Sequence, residues 1–163
     1  MSASHDKTAI ILVDHGSQLD ASNALLVEVA GAFARQSDWS LVEPAHMELA
    51  EPSIATAFAR CVQRGAELVV VFPYFLGPGR HWSEDIPRLA AEAAQECGGV
   101  RYVVAAPLGL HPLMLQVIDQ RIAHCLQHAV EGGPECEICS DASVGCSLQS
   151  SDEAPAGQGD LTG

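Results

Sequence analysis

Four histidines stand in the segments that follow apolar runs, in "VDHGSQ" (13–18), "AHMELAE" (45–51), "GPGRHWSED" (77–85) and "GLHP" (109–112). An imidazole changes charge near neutral pH and ligates borderline divalent metals, so such residues can move protons or hold an ion. A lone histidine in this position equally caps a helix or bonds a loop, and His46 equally packs at the end of its strand. His15 and His81 lead because each lies close to glycine, which lets backbone approach a ligand. Glu48 adds a carboxylate that can complete a metal set or carry protons away. Glu51 reads instead as serving the positive end of a helix that starts at Ser53. The segment "FPYFLGPGRHWSEDIP" (72–87) holds Tyr74, Phe75 and Trp82 beside Gly77, Gly79 and Arg80. An apolar wall with a glycine-backed rim suits a flat ligand with polar edges, and Arg80 can grip a carboxylate in bidentate fashion. The plainer reading of this segment is a loop whose aromatics close the core, with Ser83 as a helix N-cap.

The elements that must position these residues are legible in the apolar spacing. Thr8–Val13 reads as a buried strand and Leu19–Arg35 as an amphipathic helix. Leu41–Met47 with Ser53–Arg64, Glu67–Phe72 with Ser83–Cys97, and Arg101–Ala106 with Pro112–Ala129 repeat the pair. Alternating strands and helices imply right-handed crossovers and a four-stranded parallel sheet, an α/β flavodoxin-like fold with helices on both faces. Pro44 lacks the N–H of an inner strand, so strand two is expected at an edge. Ligands of such sheets sit outside the carboxyl ends of the strands. That rim is where His15, Ser17, His46, Glu48, the 73–81 segment and His111 fall.

A net charge of −13, from 8 basic and 21 acidic residues, argues against a nucleic-acid partner. No apolar run reaches the ~20 residues that cross a bilayer, and no membrane association is expected. The opening residues lack a targeting pattern, so the expected location is the cytoplasm, or a plastid if a transit peptide has been removed. The expected organisation is a domain over 1–130, a cysteine segment over 131–148, and a disordered tail over 149–163, where apolar content is too low for packing. Cys61, Cys97 and Cys125 read as buried thiols within helices. Cys136, Cys139 and Cys146 are close together in a polar stretch, a spacing that suggests metal or redox chemistry.

Together "ILVDHGSQ", "AHMELAEPSI", "VVVFPYFLGPGRHWSEDIP" and "APLGLHPLM" resemble the short-form class II chelatases that act on sirohydrochlorin, over roughly residues 8–130. The resemblance implies insertion of Fe(II) or Co(II) into the tetrapyrrole with loss of two pyrrole protons. It places His15 and His81 in metal handling and proton removal and Glu48 beside them as the family's strand-two carboxylate. Ser17, Tyr74, Phe75, Gly77, Gly79 and Arg80 become the expected substrate contacts. A single half of this kind implies a homodimer. Plant-type members carry a C-terminal cysteine cluster that holds an iron–sulfur centre, which "CEICSDASVGC" resembles. A [2Fe–2S] reading would use Cys136, Cys139 and Cys146 with Cys125 as the fourth ligand, or thiolates from two tails; Zn(II) or no metal are the alternatives. Two other functions use the same residues: a divalent-metal carrier, and a hydrolase built on Ser17 with His15. The aromatic Gly-Arg-His loop speaks against a bare carrier, and the lack of a G-x-S-x-G elbow speaks against the hydrolase.

Overall fold

The computed structural model describes residues 5–136 and 138–140. They divide into two compact units, one ending at Leu110 and the other beginning at His111. The first unit contains strands β1 (Thr8–Asp14), β2 (Leu41–His46), β3 (Leu68–Pro73) and β4 (Arg101–Val104) with helices α1 (Asp20–Gln36), α2 (Ile54–Gln63) and α3 (Ile86–Glu96). The strands form one parallel sheet in the order β2-β1-β3-β4. This is the flavodoxin-like arrangement, with its reversal of strand order between β1 and β3.

The near-continuous apolar run of β1 is what a central strand covered on both faces requires. Ala9, Ile11 and Val13 pack with Ile54, Phe58, Ile86 and Ala90 of α2 and α3. Their alternates Ile10 and Leu12 pack with Leu26 and Ala30 of α1. Pro44 stands opposite Leu12 on β2, the edge strand, where its missing N–H breaks no inner ladder. Cys61, on the inner face of α2, is fully buried, and desolvation first, then the Glu43 charge, pushes its thiol up to about 12. Cys97 and Cys125 are only half-buried, which departs from the expectation of buried thiols. Both are near helix ends or on a helix whose side chains are largely exposed.

Two helix starts follow from local chemistry. Ser53 Oγ accepts the Thr56 N–H at 3.2 Å and caps α2. Glu51 accepts from Ser53 N–H at 2.8 Å and from the Thr56 hydroxyl at 3.0 Å, so it serves the helix end as expected. Helix three differs from expectation. Ser83 is not its cap: Arg80 is already helical, and a wide π-helical turn over His81–Asp85 runs into α3. Within that turn the Ser83 N–H donates back to Gly79 O at 3.0 Å.

In the second unit α4 (Pro112–Glu131) starts at His111, whose Nδ1 accepts the Leu113 N–H, and ends at Gly132 in the left-handed region. His111 is therefore a cap. Cys136 is buried beside Val117, Gln120, Arg121 and His124, and Cys139 lies in the turn that Ser140 N–H closes onto Cys136 O at 3.0 Å. Cys146 and the 149–163 tail lie outside the described residues.

Candidate functional site

The carboxyl end of β1 turns sharply. Asp14 Oδ1 accepts the Gly16 N–H at 2.9 Å, and Gly16 adopts φ +84°. A side chain here would also collide with its neighbour, since a Cβ on Gly16 would lie 1.9 Å from the carbonyl oxygen of Glu48. The β2 loop is tied to this turn by Met47 N–H to Asp14 O at 2.9 Å and Glu48 N–H to His15 O at 3.1 Å. His15 and Glu48 are thereby brought together, Nε2 to Oε1 at 2.8 Å, with both side chains half-exposed. The other nitrogen of His15 faces Gly16 O at 3.2 Å.

His81 arrives from the β3 loop. Its ring centroid is 5.1 Å from that of His15 at 67°, edge to face, and 6.3 Å from that of Phe75 at 25°, stacked. Its Nδ1–H donates to Asp85 Oδ2 at 2.9 Å, which leaves Nε2 with its lone pair for an ion or a proton. The β3 and β4 loops are joined by Leu108 N–H to Phe75 O and Gly109 N–H to Leu76 O. Two imidazoles and a carboxylate thus stand on one exposed edge where strand order reverses. Among the described residues no three His, Cys, Asp or Glu side chains are grouped as a ready metal cage. The Glu48 carboxylate instead occupies His15 Nε2, so the cluster is an open edge, suited to an ion that arrives and leaves.

The remaining expected contacts scatter. Ser17 Oγ accepts the Leu19 N–H at 3.0 Å, and Asn23 clamps Ser17 by two backbone bonds of 2.9 and 2.8 Å. With the His15 nitrogens facing Gly16 O and Glu48, Ser17 and His15 are not paired as nucleophile and base. Arg80 is exposed and meets Glu84 at 3.4 Å. Gly77 and Gly79 have open space where a side chain would project, so no neighbour among the described residues requires glycine there. The aromatics do not form one wall. Tyr74 lines an apolar groove of about 330 Å³ with Ile10, Leu12, Phe33 and Phe72 on the α1 face, whereas Phe75 lies under His81. Trp82 is anchored by Nε1–H to Ala105 O at 2.9 Å.

Sequence reasoning missed Asp85 and Asn23, and it left the Asp14–His46 pair unread. His46 is 1% exposed, and its Nδ1–H donates to Asp14 Oδ1 at 2.6 Å. The His81–Asp85 spacing of four was a usable signal, had the helix been started two residues earlier.

Fold and site together define an α/β protein of flavodoxin-like topology with an imidazole–carboxylate cluster at the reversal point of its sheet. Known proteins resemble it over most of its length. The CbiX family model matches residues 9–125. The sirohydrochlorin ferrochelatase of Arabidopsis thaliana, a chloroplastic protein, is 51% identical over 90% of this chain and 64% of its own length. The sirohydrochlorin cobaltochelatase of Methanocaldococcus jannaschii is 41% identical over 50% of this chain and 57% of its own. Among solved structures, the sirohydrochlorin chelatase SirB of Bacillus subtilis subspecies spizizenii in complex with cobalt superposes with a TM-score of 0.68 at 28% identity, over 72% of this chain and half (50%) of that one. The chain spans less than two thirds of the length of these relatives. It belongs to the CbiX family, as its four motif segments indicated.

Proposed function

We propose that this chain is a sirohydrochlorin chelatase, which inserts Fe(II) or Co(II) into the tetrapyrrole and removes two pyrrole protons. The observation that carries the reading is the meeting of His15, His81 and Glu48 on one open edge, 2.8 Å between His15 and Glu48 and 5.1 Å between the rings. Insertion needs a base and a metal ligand on the same side of the macrocycle, because protons leave where the ion enters. His15 ligates the incoming ion through Nε2 once Glu48 withdraws from it with the Nε2 proton, His81 assists through the Nε2 that Asp85 leaves free, and Glu48 passes protons on. The metal is a substrate, so an open cluster serves better than a closed cage. Ser17, Tyr74, Phe75, Gly77, Gly79 and Arg80 are the proposed contacts to sirohydrochlorin. The macrocycle's carboxylates meet an acidic protein, so local donors such as Arg80 must hold them against the overall charge.

The plant relative's name supports iron as the metal and a plastid as the compartment; the archaeal relative's name supports cobalt. A homodimer would supply the counterpart of the half of the longer SirB chain that this chain does not cover. A [2Fe–2S] cluster on Cys125, Cys136, Cys139 and Cys146 rests on the resemblance of this segment to the plant-type cysteine cluster. The described thiols do not assemble a metal site, so no step is assigned to a cluster. Iron and sulfide analysis of anaerobically purified protein tests it.

The test of the main reading is anaerobic incubation with sirohydrochlorin and Fe(II), Co(II) or Ni(II) in turn, followed by absorption against an enzyme-free blank. Faster insertion than the blank is expected. Metal binding without acceleration would make the histidines carrier ligands and sink the catalytic reading.

A further inference from the structure

A nearly fully buried imidazole is costly to place, since it must leave water and find a polar partner. The Asp14–His46 pair stands at the strand ends behind the rim, with the His46 side chain 1% and the Asp14 side chain 22% exposed. Its geometry identifies what it holds. Asp14 and His46 are the last registered pair of β1 and β2, and parallel partners in register share a face of the sheet. Asp14 Oδ1 takes two donors at once: His46 Nδ1–H from the β2 end at 2.6 Å, and Gly16 N–H from its own turn at 2.9 Å. The first bond fixes β2 against β1, and the second sets the turn that presents His15. His46 also anchors the far side of the β2 loop, because its N–H donates to Pro52 O at 2.8 Å and it bridges to Ser53. That loop, closed at both ends, carries Glu48.

We infer that Asp14 and His46 are positioning residues for the metal-handling edge: one shared carboxylate oxygen sets the separation of the two loops and so the contact of His15 with Glu48. Sites of this kind work only when held to within about 0.5 Å, which loops alone do not achieve. A pair that serves stability alone would be matched by any well-packed substitute. A pair that sets geometry requires a donor at the Nδ1 position and an acceptor at Asp14. Asn at position 46 can present its amide N–H near the place of Nδ1, and Asn at position 14 keeps an acceptor oxygen.

This inference rests on the chelatase reading, and its test separates the two. Wild type, His46→Ala, His46→Asn, Asp14→Ala and Asp14→Asn are compared in anaerobic insertion for kcat and KM, and in thermal unfolding for stability. In parallel, the His15 ring nitrogens of these proteins and of Glu48→Ala are followed by NMR without substrate. The expected result is a kcat at least tenfold lower in both alanine variants with KM for sirohydrochlorin within twofold. Both asparagine variants should recover to within threefold of wild type, and the His15 signal in His46→Ala should shift toward that seen in Glu48→Ala. Folded His46→Ala with kcat within threefold of wild type and an unmoved His15 signal would overturn the inference, as would equal impairment of His46→Ala and His46→Asn. If wild type inserts no metal, the chelatase reading fails alone and the His15 signal decides the positioning role.

Discussion

Replacing Gly16 by alanine strikes the point where the loops that follow β1 and β2 touch. The residue sits at φ +84°, and its new Cβ would lie 1.9 Å from the Glu48 carbonyl oxygen, a backbone atom that no rotamer change can move aside. Ordinary contact begins near 3.4 Å, so the loops must part by roughly 1.5 Å. The left-handed backbone costs about 1–2 kcal/mol for a residue with a Cβ, and forced overpacking adds about 1–3 kcal/mol. Gly65 supplies the control, since it has φ +94° with none of the described residues within 4 Å of where a Cβ would stand. Gly65→Ala therefore incurs the backbone cost alone. In urea denaturation Gly16→Ala should lose about 1–3 kcal/mol more than Gly65→Ala. A displacement of about 1 Å at a reacting group is enough for a hundredfold loss of rate. Insertion by the folded fraction of Gly16→Ala should fall by about that factor, while Gly65→Ala stays near wild type. Equal destabilisation by the two substitutions, or a Gly16→Ala protein of undiminished rate, would refute the argument that contact at Gly16 sets the His15–Glu48 geometry.

Asp85→Ala frees the His81 ring to rotate and to change tautomer, and partners of this kind are worth about 10–100-fold; kcat for insertion should fall by that range, with Asp85→Asn retaining more. Glu51 has its carboxyl held below the usual 4.5, chiefly by the Ser53 backbone N–H and next by the Thr56 hydroxyl. A depressed folded value means that its stabilisation is present above pH 4.5 and is lost as pH falls through the lowered value. Glu51→Gln should therefore unfold at lower urea than wild type at pH 7, and the gap should close toward pH 2; a gap that persists in acid would contradict the assignment.

Much of this could be read in the chain. The unbroken run Ala9–Val13 announces a strand covered on both faces, and Pro44 announces an edge. The rule that ligands gather at carboxyl ends of parallel strands then brought His15, Glu48 and His81 to one rim before any coordinate. What the spacing does not carry is the direction of each side chain at a strand end. His46 and Glu48 are two residues apart, yet one is buried against Asp14 and the other exposed, because the chain leaves the sheet between them. His111 is consumed as a helix cap, a role that its position before Pro112 could have suggested. Tyr74 and Phe75 turn to opposite sides, as neighbours in extended chain do, which divides the supposed aromatic wall. Asp85 escaped notice because the first helical turn is a π turn beginning at His81, and its i,i+4 partner falls inside a segment that reads as loop.

The central claim is that His15 and His81 act as one metal-handling unit. It is tested most directly by anaerobic insertion kinetics of His15→Ala, His81→Ala and the double variant, each with its folded fraction measured. Groups that act as a unit are strongly non-additive, so each single change should lower kcat by about a hundredfold or more and the double should fall little further. If each single variant stayed within about threefold of wild type, under ~1 kcal/mol of barrier, the histidine pair would not be where the metal is handled.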